Sequence, residues 1–127
     1  MGLDTTHDCW HGAYSAFHRW RVEIAAAAGL NLQAMAGFEG FHSGGVRGTA
    51  WELLKPDVLW VLLDHSDCDG KISWKKCEKL AARLEGLLPL LPDEDGGGHI
   101  GNWRVKTQQF IDGLRLAQSL KEDVRFY

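Results

Sequence analysis

Apolar residues recur at roughly helical intervals along the first thirty positions: Trp10, Ala13, Tyr14, Phe17 and Ile24, then the run Ala25 to Ala28, closed by Gly29. Thr5 and Asp8 precede them with the spacing of a capping box, so the pattern predicts a first helix starting at Thr5. A second amphipathic stretch runs from about Trp74 to Leu88. It sets Trp74, Cys77, Leu80, Ala81, Leu84 and Leu88 on one face, with Ser73 as N-cap and Pro89 and Pro92 marking its end. Asn102 caps a third stretch, whose inner face carries Trp103, Phe110, Leu114 and Ala117, and Lys106 by its aliphatic stem.

Val58-Leu59-Trp60-Val61-Leu62-Leu63 is apolar throughout, and periodicity alone does not separate a buried strand from a short buried helix. A strand is the preferred reading, although Pro56 and Asp57 also suit the first turn of a helix. Val124 to Tyr127 has strand-like residue types and is expected to pair with 58–63. Between Gly29 and Ala50, five glycines interleave with Phe38, Phe41 and His42, which reads as a long irregular segment anchored by aromatics. Asp93 to Gly98 reads as a polar, flexible connector. The expected fold is α+β and mostly helical, three main helices with a minimal sheet; all-α is the alternative.

A chain of 127 residues, 45% hydrophobic and with six Trp and five Phe, is enough for one core, and residues 1–127 are read as a single domain. Net charge is −3, from 14 basic and 17 acidic residues, and the basic ones are scattered along the sequence. Nucleic-acid binding is therefore not expected. The first residues have no basic and apolar signal pattern and no later run approaches a membrane span, so the expectation is a cytoplasmic protein with no membrane association. Three cysteines, Cys9, Cys68 and Cys77, at irregular spacings fit a reducing compartment. Cys77 falls on the apolar face of the second stretch and is read as a small core hydrophobe.

Chemistry is densest at Asp64-His65-Ser66-Asp67-Cys68-Asp69-Gly70. Aligned on Gly70 and Ile72, His65 to Lys76 resembles a degenerate EF-hand calcium loop, with Asp67 and Asp69 in the third and fifth positions. The first ligand position holds His65 and the twelfth Lys76, so two anionic ligands are lost and calcium affinity should be crippled. The competing reading is a tight turn in which the carboxylates accept backbone N–H groups. The start Gly-Leu-Asp-Thr-Thr-His-Asp-Cys-Trp-His-Gly, Gly2 to Gly12, together with Asp64 to Gly70, resembles small uncharacterised bacterial and phage proteins. That resemblance implies a prokaryotic or viral origin and no particular chemistry.

His7 and His11 have the His-x-x-x-His spacing that puts two imidazoles on one helix face, with Asp8 where the zincin motif has its glutamate. The candidate metal ligands are His7, His11, His65, Asp67 and Asp69, with Cys9, Cys68 and His99 as additional ones; zinc suits this donor set better than calcium. Gly97, Gly98, His99 and Arg104, at the entry to the third helix, form a candidate anion site, opposed by the carboxylates of residues 93–95. Cys9 or Cys68 beside a histidine is a candidate thiolate nucleophile, a weaker reading because neighbouring aspartates raise the thiol pKa.

These features predict a small ligand-binding or partner-binding domain, with a metal ion as a further component and a homodimer compatible with the pattern. Independent catalysis is not expected. One alternative is a metal-dependent hydrolase in which His7, His11 and one of His65 or His99 hold the ion and Asp8 or Asp67 activates water. The other is a purely structural or inhibitory interaction module.

Overall fold

The computed structural model describes residues 2–29, 57–63, 70–97 and 100–127. Its elements are β1 (Gly2–Asp4), a 3₁₀ turn (Thr6–Asp8), β2 (His11–Ala13), α1 (Tyr14–Ala27), α2 (Trp60–Leu63), β3 (Gly70–Ile72), α3 (Trp74–Leu87), a second 3₁₀ turn (Leu88–Leu90), α4 (Trp103–Leu120) and β4 (Val124–Phe126). The fold is α+β and mostly helical, with two small antiparallel sheets, β1–β2 and β3–β4.

The first helix starts later than the capping-box spacing predicts. The Thr5 hydroxyl accepts the Trp10 N–H at 2.9 Å, and the Thr5 N–H donates to the Trp10 carbonyl at 3.1 Å. Thr5 therefore closes a loop instead of capping a helix, and the chain doubles back so that Asp4 pairs with His11 and Leu3 with Gly12. Only then does α1 begin, burying Ala16, Phe17, Trp20, Ile24 and Ala25.

The apolar run at 58–63 is not a strand. Asp57 Oδ1 accepts the Leu59 N–H at 3.0 Å, which initiates a turn that continues into α2. Leu59, Leu62 and Leu63 are buried, a helical rather than an alternating set. The buried Arg21 guanidinium of α1 reaches the last carbonyls of α2, Leu62 O at 3.4 Å and Leu63 O at 3.3 Å. β4 consequently pairs with β3 instead of with 58–63, in the register Gly70–Phe126, Lys71–Arg125 and Ile72–Val124. That register sends Ile72, Val124 and Phe126 into the core.

The two long C-terminal helices follow their sequence signals. Ser73 Oγ accepts the Lys75 N–H and α3 buries Cys77, Leu80, Ala81, Leu84 and Leu87. Asn102 Oδ1 accepts two N–H groups, from Arg104 at 2.9 Å and Val105 at 3.2 Å, and α4 buries Trp103, Lys106, Phe110, Leu114 and Ala117. α3 packs chiefly against α4. An aromatic cluster joins the N-terminal loop to the helices, with ring centroids 5.2 Å apart for Trp10 and Trp20 and 4.8 Å for Trp20 and Phe110. Among the described residues no helix is long and apolar enough to cross a membrane.

Candidate functional site

The segment from Asp4 to Ala13 gathers polar groups at the surface while its back is pinned to α4 and β4. His7 and Asp8 are adjacent non-glycine residues in the left-handed region, with φ of 60° and 59°. Such backbone is uncommon for residues with a Cβ, Asp and His being among the more tolerant types, and it persists where surrounding contacts enforce it. Those contacts are specific. Gln109 Nε2 donates to the Asp8 carbonyl at 2.9 Å, Lys106 Nζ donates to the His11 carbonyl at 3.0 Å, and the Arg125 N–H donates to Thr6 Oγ1 at 2.9 Å.

His7 and His11 are not on one helix face. His7 lies in the 3₁₀ turn, with Nδ1 2.8 Å from Thr6 Oγ1 and Nε2 3.0 Å from Glu122 Oε1. His11 lies on β2 and points outward between two carboxylates: Asp4 Oδ1 is 2.8 Å from Nδ1, and Asp8 Oδ1 contacts Nε2. The i, i+4 spacing that suggested a zinc face has meaning only on a helix, and here the intervening backbone is a tight turn leading into a strand. The hydrogen bonds to Asp4 and then to Asp8 raise the imidazole of His11 above its ordinary pKa, because both stabilise the protonated ring.

Cys9, between these histidines, is fully buried, its Sγ facing Gly113 of α4. Burial pushes its thiol up to about 12, so the thiolate that a metal or a nucleophilic role requires is suppressed. Cys77 is likewise buried, with its thiol pushed up to about 11 by burial, and packs as the small hydrophobe expected. The Lys106 ammonium lies 4.3 Å from the Trp10 ring centroid, and burial holds its pKa below the usual lysine value.

The glycine-rich entry to α4 is hydrogen-bonded within itself. The Gly97 N–H donates to Asp95 Oδ1 at 2.6 Å and the Gly96 N–H to the Gly101 carbonyl at 2.7 Å. Arg104 is directed at the Leu91 and Pro89 carbonyls, at 3.0 and 3.4 Å, and Asn102 occupies the helix N-terminus. Of the candidate anion residues, Gly97 and Arg104 are thus both hydrogen-bonded within the protein. The segment is also more structured than a plain connector, since Asp95 and Asn102 form a bridge.

His65, Asp67, Cys68 and Asp69, with Asp64, lie outside the described residues, as do Gly98, His99 and the glycine-rich segment containing His42. Of the EF-hand-like loop, the described part shows Gly70 at φ 97°, Ile72 in β3, and Lys76 exposed in the first turn of α3. Among the described residues no three His, Cys, Asp or Glu side chains converge as metal ligands.

Asp4 was not singled out by sequence reasoning. Its signal was the hairpin: once Gly2–Asp4 and His11–Ala13 pair, Asp4 stands directly opposite His11. The fold and this loop together define a small α+β domain with an exposed Asp–His–Asp constellation. Compared with family models, with curated proteins and with solved structures, the chain gives no match.

Proposed function

We propose that this chain is a small binding module that recognises a ligand or protein partner through the loop carrying Asp4, Asp8 and His11. The observation supporting it is the pair of left-handed residues His7 and Asp8 held against α4, which aims the Asp8 carboxylate at His11 on the surface. Backbone strain of this kind costs about 1–3 kcal/mol per residue and tends to mark functional positions. With both ring nitrogens of His11 bonded to carboxylates, the imidazole is better suited to presenting charge than to acting as a general base.

A metal ion, zinc ahead of calcium, would draw on His65, Asp67 and Asp69. The cysteine pattern fits a reducing compartment, and the cytoplasm is the setting we propose.

Screening a library of small amines, amides and carboxylates by ¹H–¹⁵N NMR tests the loop. The expected result is shifts centred on Thr5 to Ala13 that disappear in Asp8→Asn and His11→Gln, while the fold of both variants is kept. Shifts confined to other elements, or none, would remove the loop as the recognition element. Elemental analysis before and after chelation tests the metal: zinc lost in His65→Ala supports it, and metal-free protein that takes up none on dialysis refutes it.

A further inference from the structure

The helical turn of α3 lines up four neighbouring basic residues. On α3, Lys75, Lys79 and Arg83 follow one another at i, i+4 and i+8, and Lys76 lies beside Lys79 at i+3. The carboxylates of the same helix are segregated from them: Glu78 and Glu85 turn toward α4, where Arg115 binds them at 3.4 and 2.7 Å. Lys75, Lys76 and Lys79 are exposed, and among the described residues no carboxylate is within ion-pair distance of any of them. Arg83 is held at 3.2 Å by Asp57.

Within the isolated domain this arrangement is unfavourable. Like charges at i, i+4 repel, and Lys75 and Lys76 occupy the first helical turn, where the backbone dipole already places positive charge. Net charge is −3, with acidic residues in excess, yet among the described residues no carboxylate pairs with these lysines, and Lys75 has only the Trp74 ring, at 6.0 Å. Beside them lies an open hollow of about 680 Å³, lined by Asp57, Val58, Lys79, Ala82 and Arg83, whose floor is mainly apolar.

We propose that the outer face of α3 is a docking surface for an acidic segment of a partner protein. Steps of four residues along a helix advance about 6 Å, and alternate residues of an extended chain are about 6.6 Å apart. An extended segment presents every second side chain to one face, so carboxylates at two successive such positions match Lys75 and Lys79, and an apolar side chain at the next covers Val58 and Ala82. A phosphate backbone fits less well, because the apolar floor beside the lysines offers it nothing. This surface is separate from the Asp4–His11–Asp8 loop and does not depend on that loop's role.

The probe is a fluorescein-labelled extended peptide of about seven residues with Glu at its second and fourth positions and Leu at its sixth, with a Gln-for-Glu peptide and single-stranded oligothymidylate as comparisons. Binding is read by anisotropy and by ¹H–¹⁵N NMR. The expected outcome is shifts on Lys75 to Arg83 and Val58, with affinity falling about tenfold or more in Lys76→Glu/Lys79→Glu and on raising salt to about 0.5 M. Lys121→Glu, a single charge-reversal control at the end of α4, should bind as wild type does. Lys76→Gln/Lys79→Gln gives an intermediate loss without introducing new charge, and its melting curve checks the fold. Equal binding of the Gln peptide, tighter binding of the oligonucleotide, equal loss in Lys121→Glu, or no shifts on α3 would each overturn the proposal.

Discussion

Gly113 marks the place where α4 passes behind the N-terminal loop. A Cβ built there would stand 2.8 Å from the His7 carbonyl oxygen and 3.0 Å from Cys9 Cα, and would also press on Cys9 Sγ. Alanine in a helix interior normally gains about 1 kcal/mol over glycine, but overpacking against backbone that cannot step aside costs about 1–3 kcal/mol. Gly113→Ala is expected to destabilise on balance, and urea unfolding with an unchanged or raised midpoint would show that the loop is not seated on α4 as described. His11 makes a second prediction. Its pKa is raised in the folded chain, so its contribution to stability is full below the ordinary imidazole value and is lost as pH rises through the raised one. The melting temperature should therefore decline as pH rises above the ordinary imidazole value, and the decline should flatten in Asp4→Asn/Asp8→Asn. The effect is small, because the His11 side chain is 48% exposed and solvent screens the pairs.

At the scale of elements, the caps decided which parts of the fold were legible. Ser73 and Asn102 stand immediately before strongly amphipathic stretches, and both helices start where those residues indicate. Asn102→Ala removes the acceptor for two N–H groups and should cost about 0.5–2 kcal/mol in chemical denaturation; Asn102→Ser, which keeps a capping oxygen without setting a second carboxylate beside Asp93, should retain most of that stability. Thr5 and Asp8 carry the same kind of signal, but the Thr5 hydroxyl is taken by the Trp10 N–H, a contact between residues five positions apart that no local spacing rule anticipates. Residues 58–63 were ambiguous because every position is apolar; the arbitration comes from Asp57 at one end and Arg21 at the other, the latter distant in sequence. The candidate site inherited the first of these misreadings. Placed on a helix, His7 and His11 share a face; placed in a turn and a strand, they meet different carboxylates, and Asp4 becomes visible.

Over the whole molecule, one aromatic and aliphatic cluster runs from Leu3 to Phe126 and encloses both Cys9 and Cys77. Their raised pKa values and burial predict that iodoacetamide at about pH 8 leaves Cys9 and Cys77 unmodified in the native protein and labels them once urea unfolds it. Peptide mapping by mass spectrometry checks this, and rapid native labelling of Cys9 would contradict its place behind the loop. The same cluster is closed at its edge by the two ends of the described chain. The Asp4 N–H donates to the Tyr127 carbonyl at 3.0 Å, the Tyr127 N–H donates back at 2.9 Å, and Thr5 forms a bridge with Phe126. During synthesis, Asp4 and Thr5 have no partner for these bonds until residues 126 and 127 have emerged from the ribosome. Folding of this domain is thus completed only after translation has passed that point, and a nascent chain stalled short of it holds the Asp4–Asp8–His11 loop without its final clasp.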